Sequence, residues 1–199
     1  MSIGPDDFDS VARVIRARRT SMIVDKSRDV GDDVLDELFE LAAWAPCHKR
    51  TWPWRFTVVR GESRSTLGHT VADAMQRFGD EPDKVAKART KYTRTPVVVV
   101  VGSVVGDSDQ RTAENRDATS VAVQNFMLGA TARGIATYWG SCPKGADADV
   151  ATLCGFSPTP RSSLWCTRAG RRATLKPPND RSRSSPVSPE TPNSRRAYG

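Results

Sequence analysis

The sequence predicts an α+β layer fold, a central mixed sheet flanked by helices. Three observations carry that expectation. Five consecutive valines, Val97 to Val101, form an uninterrupted β-branched run. A half-exposed strand would alternate, so the run indicates a strand buried on both faces. Around it, helical periodicities come first and alternate irregularly with short strands. No G-x-G-x-x-G follows any of those strands, which disfavours a fold of the dinucleotide-binding type.

The elements follow in order. Phe8 to Arg19 reads as a helix, with Val11, Val14 and Ile15 on one face. Gly31 or Asp32 starts a second helix with the stripe Val34, Leu35, Leu38, Phe39 and Ala42, and Pro46 stops it. Trp54 to Val59 is a short strand. An amphipathic helix bearing Leu67, Val71, Ala74 and Phe78 ends at Gly79. Asp80 to Arg94 is charged throughout and reads as a solvated helix or lid. A long, mostly apolar helix runs from about Glu114 to Arg133, capped by Gly134. Ile135 to Trp139 is a third strand, and Ala146 to Leu153 a short helix closed by Gly155.

At 199 residues the chain suffices for one domain with a sizeable core. No apolar run is long enough to span a membrane, and the acidic start MSIGPDDFDS lacks the apolar region of a secretory signal. The expected location is cytoplasmic. Cys47, Cys142, Cys154 and Cys166 are scattered, and with only His48 and His69 beside them no zinc pattern assembles. No metal is expected.

The net charge of +7 would suit an acidic partner, but its distribution matters more. Residues 161–199 hold nine Lys/Arg against two acidic residues, leaving 21 of each in residues 1–160. The body is neutral. The division is therefore 1–160 as the folded domain and 161–199 as a basic Ser/Pro/Arg-rich tail, too poor in apolar residues to order itself. Nucleic-acid binding through that tail is a minor reading.

Three segments carry the chemistry. Arg18-Arg19-Thr20-Ser21 combines two guanidinium groups with hydroxyls, a set that holds phosphate by charge-assisted hydrogen bonds, although a solvated helix end looks the same. Ala45-Pro46-Cys47-His48-Lys49-Arg50-Thr51-Trp52-Pro53-Trp54-Arg55-Phe56 joins prolines, tryptophans and donors in one tight loop. It is either a wall for a planar heteroaromatic ligand or a rigid turn with aromatics in the core. Cys47 beside His48 makes a poor nucleophile–base pair, because neighbours in sequence rarely face one another and no orienting acid is evident. Gly134-Ile135-Ala136-Thr137-Tyr138-Trp139-Gly140-Ser141 leads from a helix cap through a strand to a turn of small residues that lets a ligand approach the backbone.

In this order and spacing the three segments resemble the nitroreductase family, across roughly residues 9–160. Members open with Arg-Arg-Ser, carry an Ala-Pro loop ending in Pro-Trp-x-Phe, and later place a Trp after a Gly-rich helix end. APCHKRTWPWRF is closest to the small single-domain subgroup. The resemblance implies a nitroreductase-like fold and FMN held non-covalently at a homodimer interface. By position it assigns Arg18, Arg19 and Thr20 to the phosphate and ribityl chain, Trp44 and His48 to the flavin-lining loop, and Trp139, Gly140 and Ser141 to the segment closing over the isoalloxazine. It further implies NADH or NADPH as reductant, ping-pong hydride transfer, and nitroaromatic, quinone or similar electron-poor acceptors. No catalytic side chain is required. The second reading is a flavin-binding, non-catalytic member of the same fold. Met22 stands where many members carry Lys or Arg, and Trp52 where a polar residue often precedes Pro-Trp.

Family members continue past the last short helix with an apolar strand, often followed by an extension around the partner subunit. Here Leu164-Trp165-Cys166-Thr167-Arg168-Ala169-Gly170-Arg171-Arg172 has no strand periodicity. Back-translated with GC-rich codons from the third base of Trp165, it can give, by choice of the free third bases, Val-Tyr-Pro-Gly-Trp-Pro-Ala, then Gly-Asp-Ala-Glu-Thr-Pro-Gln-Arg-Pro, which resembles the family ending. The expectation is a frameshifted tail and a disrupted final, swapped strand.

Overall fold

The computed structural model describes residues 4–21, 23–156 and 164–172. The order is α1 (Pro5–Ala17), α2 (Asp32–Ala43), β1 (Trp54–Val59), α3 (Ser63–Arg77), α4 (Pro82–Lys91), β2 (Val97–Ser103), α5 (Asp109–Ala132), β3 (Ile135–Ser141), α6 (Asp147–Leu153) and β4 (Leu164–Arg171). The strands form one sheet in the order β1-β2-β4-β3.

Every residue of β2 is buried. Its side chains alternate between two cores, as a central strand requires. Val98 and Val100 meet Leu67, Val71 and Tyr92 under α3 and α4. Val97, Val99 and Val101 meet Leu35, Leu38, Phe126 and Ile135 under α2 and α5. Phe39 stacks on Phe56 at 5.1 Å between ring centroids, closing the second core toward β1. The two layers of helices on one sheet are the expected α+β architecture.

Two expectations are corrected. The sheet is not mixed, since all its strand pairs are antiparallel. Strands β2 and β3, joined by α5, do run parallel, but β4 is inserted between them and antiparallel to both. The final strand is not disrupted either. Leu164–Arg171 is a strand, past the residue 160 at which the sequence reading ended the domain. It is neither an edge strand nor one that leaves its own chain, since it fills the centre of the sheet. Its position explains how so poor a strand sequence folds. Both of its backbone edges are paired, and its buried Thr167, Ala169 and Gly170 are small enough to sit beneath both helix layers. The expectations for Ser157 to Ser163, for the tail beyond Arg172 and for Met22 lie outside the described residues.

Helix α5 starts five residues earlier than its apolar pattern indicates. Ser108 caps it, its Oγ accepting the Arg111 N–H at 3.1 Å, so the polar turn Asp109–Ala113 is helical without apolar periodicity.

Candidate functional site

Helix α1 ends where Arg18 leaves helical geometry (φ −59°, ψ 127°), its N–H still bonded to Val14 O. The chain then runs to the open edge of β3. Thr20 forms a parallel bridge with Thr137, and the Ser21 N–H donates to Thr137 O at 3.0 Å. Beyond Ser21, Asp25 N–H donates to Arg171 O at 2.9 Å, fastening the segment to the end of β4. The Asp25 carboxyl accepts from the Ser27 hydroxyl and N–H, and those bonds, with Arg28 nearby, hold it below the ordinary carboxylate range.

The first and third predicted segments therefore meet within one chain, with Thr20 two residues along the strand from Trp139. The two arginines differ. Arg19 turns back on its own helix, one nitrogen donating to the carbonyls of Arg16 and Arg18. That is ordinary C-terminal capping. Arg18 is half-buried and joins no ion pair among the described residues, so its guanidinium is the better anion ligand. On β3, Trp139 packs toward the core under α2 and α5, Gly140 is half-buried and Ser141 exposed. These three residues pair with β4 on one side only. Past Thr137 no described strand covers the other edge, which leaves main-chain groups there for a ligand.

The second segment stands apart. Trp44 ends α2 at 77 % exposure, its indole N–H donating to the Glu40 carboxylate. His48 opens a 3-10 turn, His48–Arg50, and is exposed. Neither side chain has a hydrogen bond to the other two segments among the described residues. The loop is nevertheless firmly held. Lys49, Arg50 and Trp52 have positive φ values of 61°, 53° and 40°, each costing about 1–3 kcal/mol in a non-glycine residue. Thr51 Oγ donates to Asn115 Oδ1 at 2.7 Å, and Asn115 Nδ2 donates to Val104 O at 3.0 Å. This lock to α5 escaped the sequence reading, and a polar Asn within a helical pattern was its only signal. Cys47 Sγ lies 3.4 Å from the Thr51 hydroxyl and contacts His48 only at its backbone oxygen, so no nucleophile–base pair is present. The described residues contain no group of His, Cys, Asp and Glu able to hold a metal.

A guanidinium without a carboxylate partner among the described residues, an exposed threonine hydroxyl and an open main-chain edge form a donor set suited to a phosphorylated ligand with a polar-rimmed ring. They supply neither an acid–base pair nor a metal cage.

Known proteins resemble this chain in sequence and in fold. The family model described as the nitroreductase family matches residues 15–168. YfhC of Bacillus subtilis, provisionally named an NAD(P)H nitroreductase, is 29 % identical over 157 residues, covering 76 % of this chain and 80 % of that protein. A nitroreductase-like family protein from Bacillus cereus superposes with a TM-score of 0.70 at 25 % identity, over 92 % of this chain and 94 % of that one. The FMN-dependent nitroreductase NfnB from Mycobacterium smegmatis, solved with NADPH, superposes with a TM-score of 0.67 at 20 % identity, over 83 % and 89 % of the two chains, and shares the fold. No described helix is long and apolar enough to cross a membrane. With the family model matching well over half of its length, the chain belongs to the nitroreductase family.

Proposed function

We propose that the protein is an FMN-dependent NAD(P)H oxidoreductase that reduces nitroaromatic, quinone or similar electron-poor acceptors, working as a homodimer in the cytoplasm. The observation that carries this reading is the Thr20–Thr137 bridge, which sets Arg18 and Thr20 beside the open β3 edge at Trp139–Ser141. The names of the relatives, NAD(P)H and FMN-dependent nitroreductases, support the same cofactor pair.

In this reading Arg18 and the Thr20 hydroxyl hold the FMN phosphate, Arg19 stabilises the helix end that presents them, and the main chain of Trp139, Gly140 and Ser141 orients the ring. Bound FMN supplies reversible hydride acceptance, so the protein's own task is binding, orientation and exclusion of water. Trp44 and His48 are exposed and have no hydrogen bond to the other two segments among the described residues, which supports a pocket shared between two copies. The loop of a second copy supplies them. The apolar stripe of α1 supports that assembly: Phe8, Val11 and Ile15 are all at least half exposed, and no α1 residue is buried. An uncovered stripe of this kind marks an interface.

Flavin content of the purified protein tests the assignment. Arg18→Ala is expected to lose FMN on gel filtration while keeping its circular dichroism spectrum. Full FMN retention by this variant would overturn the assignment of Arg18.

A further inference from the structure

Val104, the first residue past β2, has both of its main-chain groups engaged. Its N–H donates to Pro53 O at 2.9 Å, and its carbonyl accepts from Asn115 Nδ2 at 3.0 Å. Asn115 Oδ1 in turn accepts from the Thr51 hydroxyl at 2.7 Å. Thr51 and Pro53 are thus tied into one closed ring of three hydrogen bonds with the end of β2 and the second turn of α5. We propose that Asn115 is a positioning residue for the cofactor: through Thr51 it holds the loop in the shape that presents His48 to the flavin. The inference rests on the oxidoreductase reading above and assigns a task in it to a residue that touches no ligand.

The direction of each bond in the ring is forced. A carbonyl can only accept, so the Asn115 amide nitrogen must face Val104 O, and the carboxamide oxygen is left for Thr51. That oxygen also only accepts, so the Thr51 hydroxyl donates, with its own oxygen facing Cys47 Sγ at 3.4 Å. Neither side chain can be exchanged for an apolar one of the same shape without orphaning its partner. Asn115 is buried, where an unmet polar group is most costly, and Asn is a weak helix former. Its place inside α5 is explained by what it holds and not by the helix.

What it holds is a backbone under strain. Lys49, Arg50 and Trp52 lie in the left-handed region, at φ values of 61°, 53° and 40°, which glycine enters freely and these residues do not. Thr51, at φ −75° and ψ −18°, is the regular residue among them, and Asn115 grips the loop there. With that grip released, Arg50 and Trp52 on either side can relax toward ordinary conformations. His48, at the start of the same turn, then moves with them. A loop that samples other shapes weakens ligand binding in proportion to the time it spends in them. One net hydrogen bond corresponds to a factor of about three to ten. Flavin, once bound, selects the parent shape, so the bound state itself is unaltered.

Two measurements on the purified full chain test this in Thr51→Val, Thr51→Ser and Asn115→Leu. One is FMN affinity, read from the quenching of flavin fluorescence. The other, made without flavin, is the rate of trypsin nicking after Lys49 and Arg50, two exposed positions. Thr51→Val is expected to bind FMN about three- to tenfold more weakly and to be nicked faster by a similar factor, with an unchanged flavin spectrum at saturating FMN. Thr51→Ser keeps the hydroxyl and stays within about twofold of the parent on both. Asn115→Leu weakens binding at least as much as Thr51→Val, and the double variant no further than Asn115→Leu, because both substitutions remove one bond. A bond that only stabilised the fold would lower the melting temperature and leave FMN affinity untouched. Should Asn115→Leu fail to fold, the contrast of Thr51→Val with Thr51→Ser decides. FMN affinity within about twofold of the parent in Thr51→Val, an equal loss in Thr51→Ser, or losses that multiply in the double variant would overturn the inference. Failure of the oxidoreductase reading shows separately, as a parent chain that binds no FMN, and the nicking rates then still decide whether Asn115 holds the loop.

Discussion

Ala169 distinguishes a structural strand from a solvated tail. It is wholly buried, opposite Val97 on β2 and Thr137 on β3, in a cluster with Val99, Ile135 and Met127. Ala169→Asp puts a carboxylate among these apolar side chains. An uncompensated buried charge costs about 3–5 kcal/mol, a large part of the 5–15 kcal/mol typical of a whole domain. Ala169→Ser is the milder step, a buried hydroxyl without its hydrogen bonds costing about 1–3 kcal/mol. Arg172→Asp is the control: Arg172 is exposed just past the strand, and a surface change stays within about 0.5 kcal/mol. Urea unfolding followed by far-ultraviolet circular dichroism reads all three. With a slope of about 1–3 kcal/mol per molar urea, Ala169→Asp lowers the midpoint by 1 M or more, or abolishes folding, and Ala169→Ser falls between it and the control. If Ala169→Asp unfolds within 0.5 kcal/mol of the parent, the segment is solvated as its composition suggests, and its place at the centre of the sheet is refuted.

Two further predictions concern α6 and the coding DNA. Burial at the start of α6 raises the Asp147 carboxyl above its ordinary 3.8, against a smaller lowering by its own backbone N–H. The folded protein thus holds this proton more tightly than the unfolded chain, and the group's contribution falls as pH rises above 3.8. Thermal melts should show Asp147→Asn gaining on the parent from acidic pH upward and then levelling off, and a gap that does not change with pH counts against this. Resequencing of the coding DNA should reveal an insertion or deletion near codons 158–166 relative to an intact relative. An uninterrupted match removes the shifted-frame account of the tail.

Much of the fold was legible because its signals are local. The valine run specifies a strand buried twice over, and β2 does feed both cores. Gly79 and Gly134, both at positive φ, close α3 and α5 as their positions in the sequence indicate. Strand β4 was not legible, because its stability comes from neighbours on both sides and not from its own side chains. Thr167 shows the cost: its hydroxyl is buried with no hydrogen-bond partner among the described residues. The parallel relation of β2 and β3 was implicit in the long helix between them, but nothing in the sequence announces a strand inserted between the two. At the site, Arg18, Thr20 and Trp139 were legible as motif positions, whereas the different duties of Arg18 and Arg19 depend on where each guanidinium points. Trp44 and His48 belong to the same motif set, yet among the described residues no hydrogen bond joins them to the other two segments, and motif spacing does not encode such contacts. The Thr51–Asn115 bond joins residues 64 apart, and no local pattern encodes it.

The central claim, that this chain holds a flavin which accepts hydride from a pyridine nucleotide, is tested most directly by one absorbance spectrum of the purified protein recorded anaerobically before and after NADPH is added. The account predicts a yellow protein whose visible flavin bands bleach on addition and return with a quinone or oxygen. A protein that stays colourless after incubation with FMN, or whose flavin bands persist in excess NADPH and NADH alike, would contradict it.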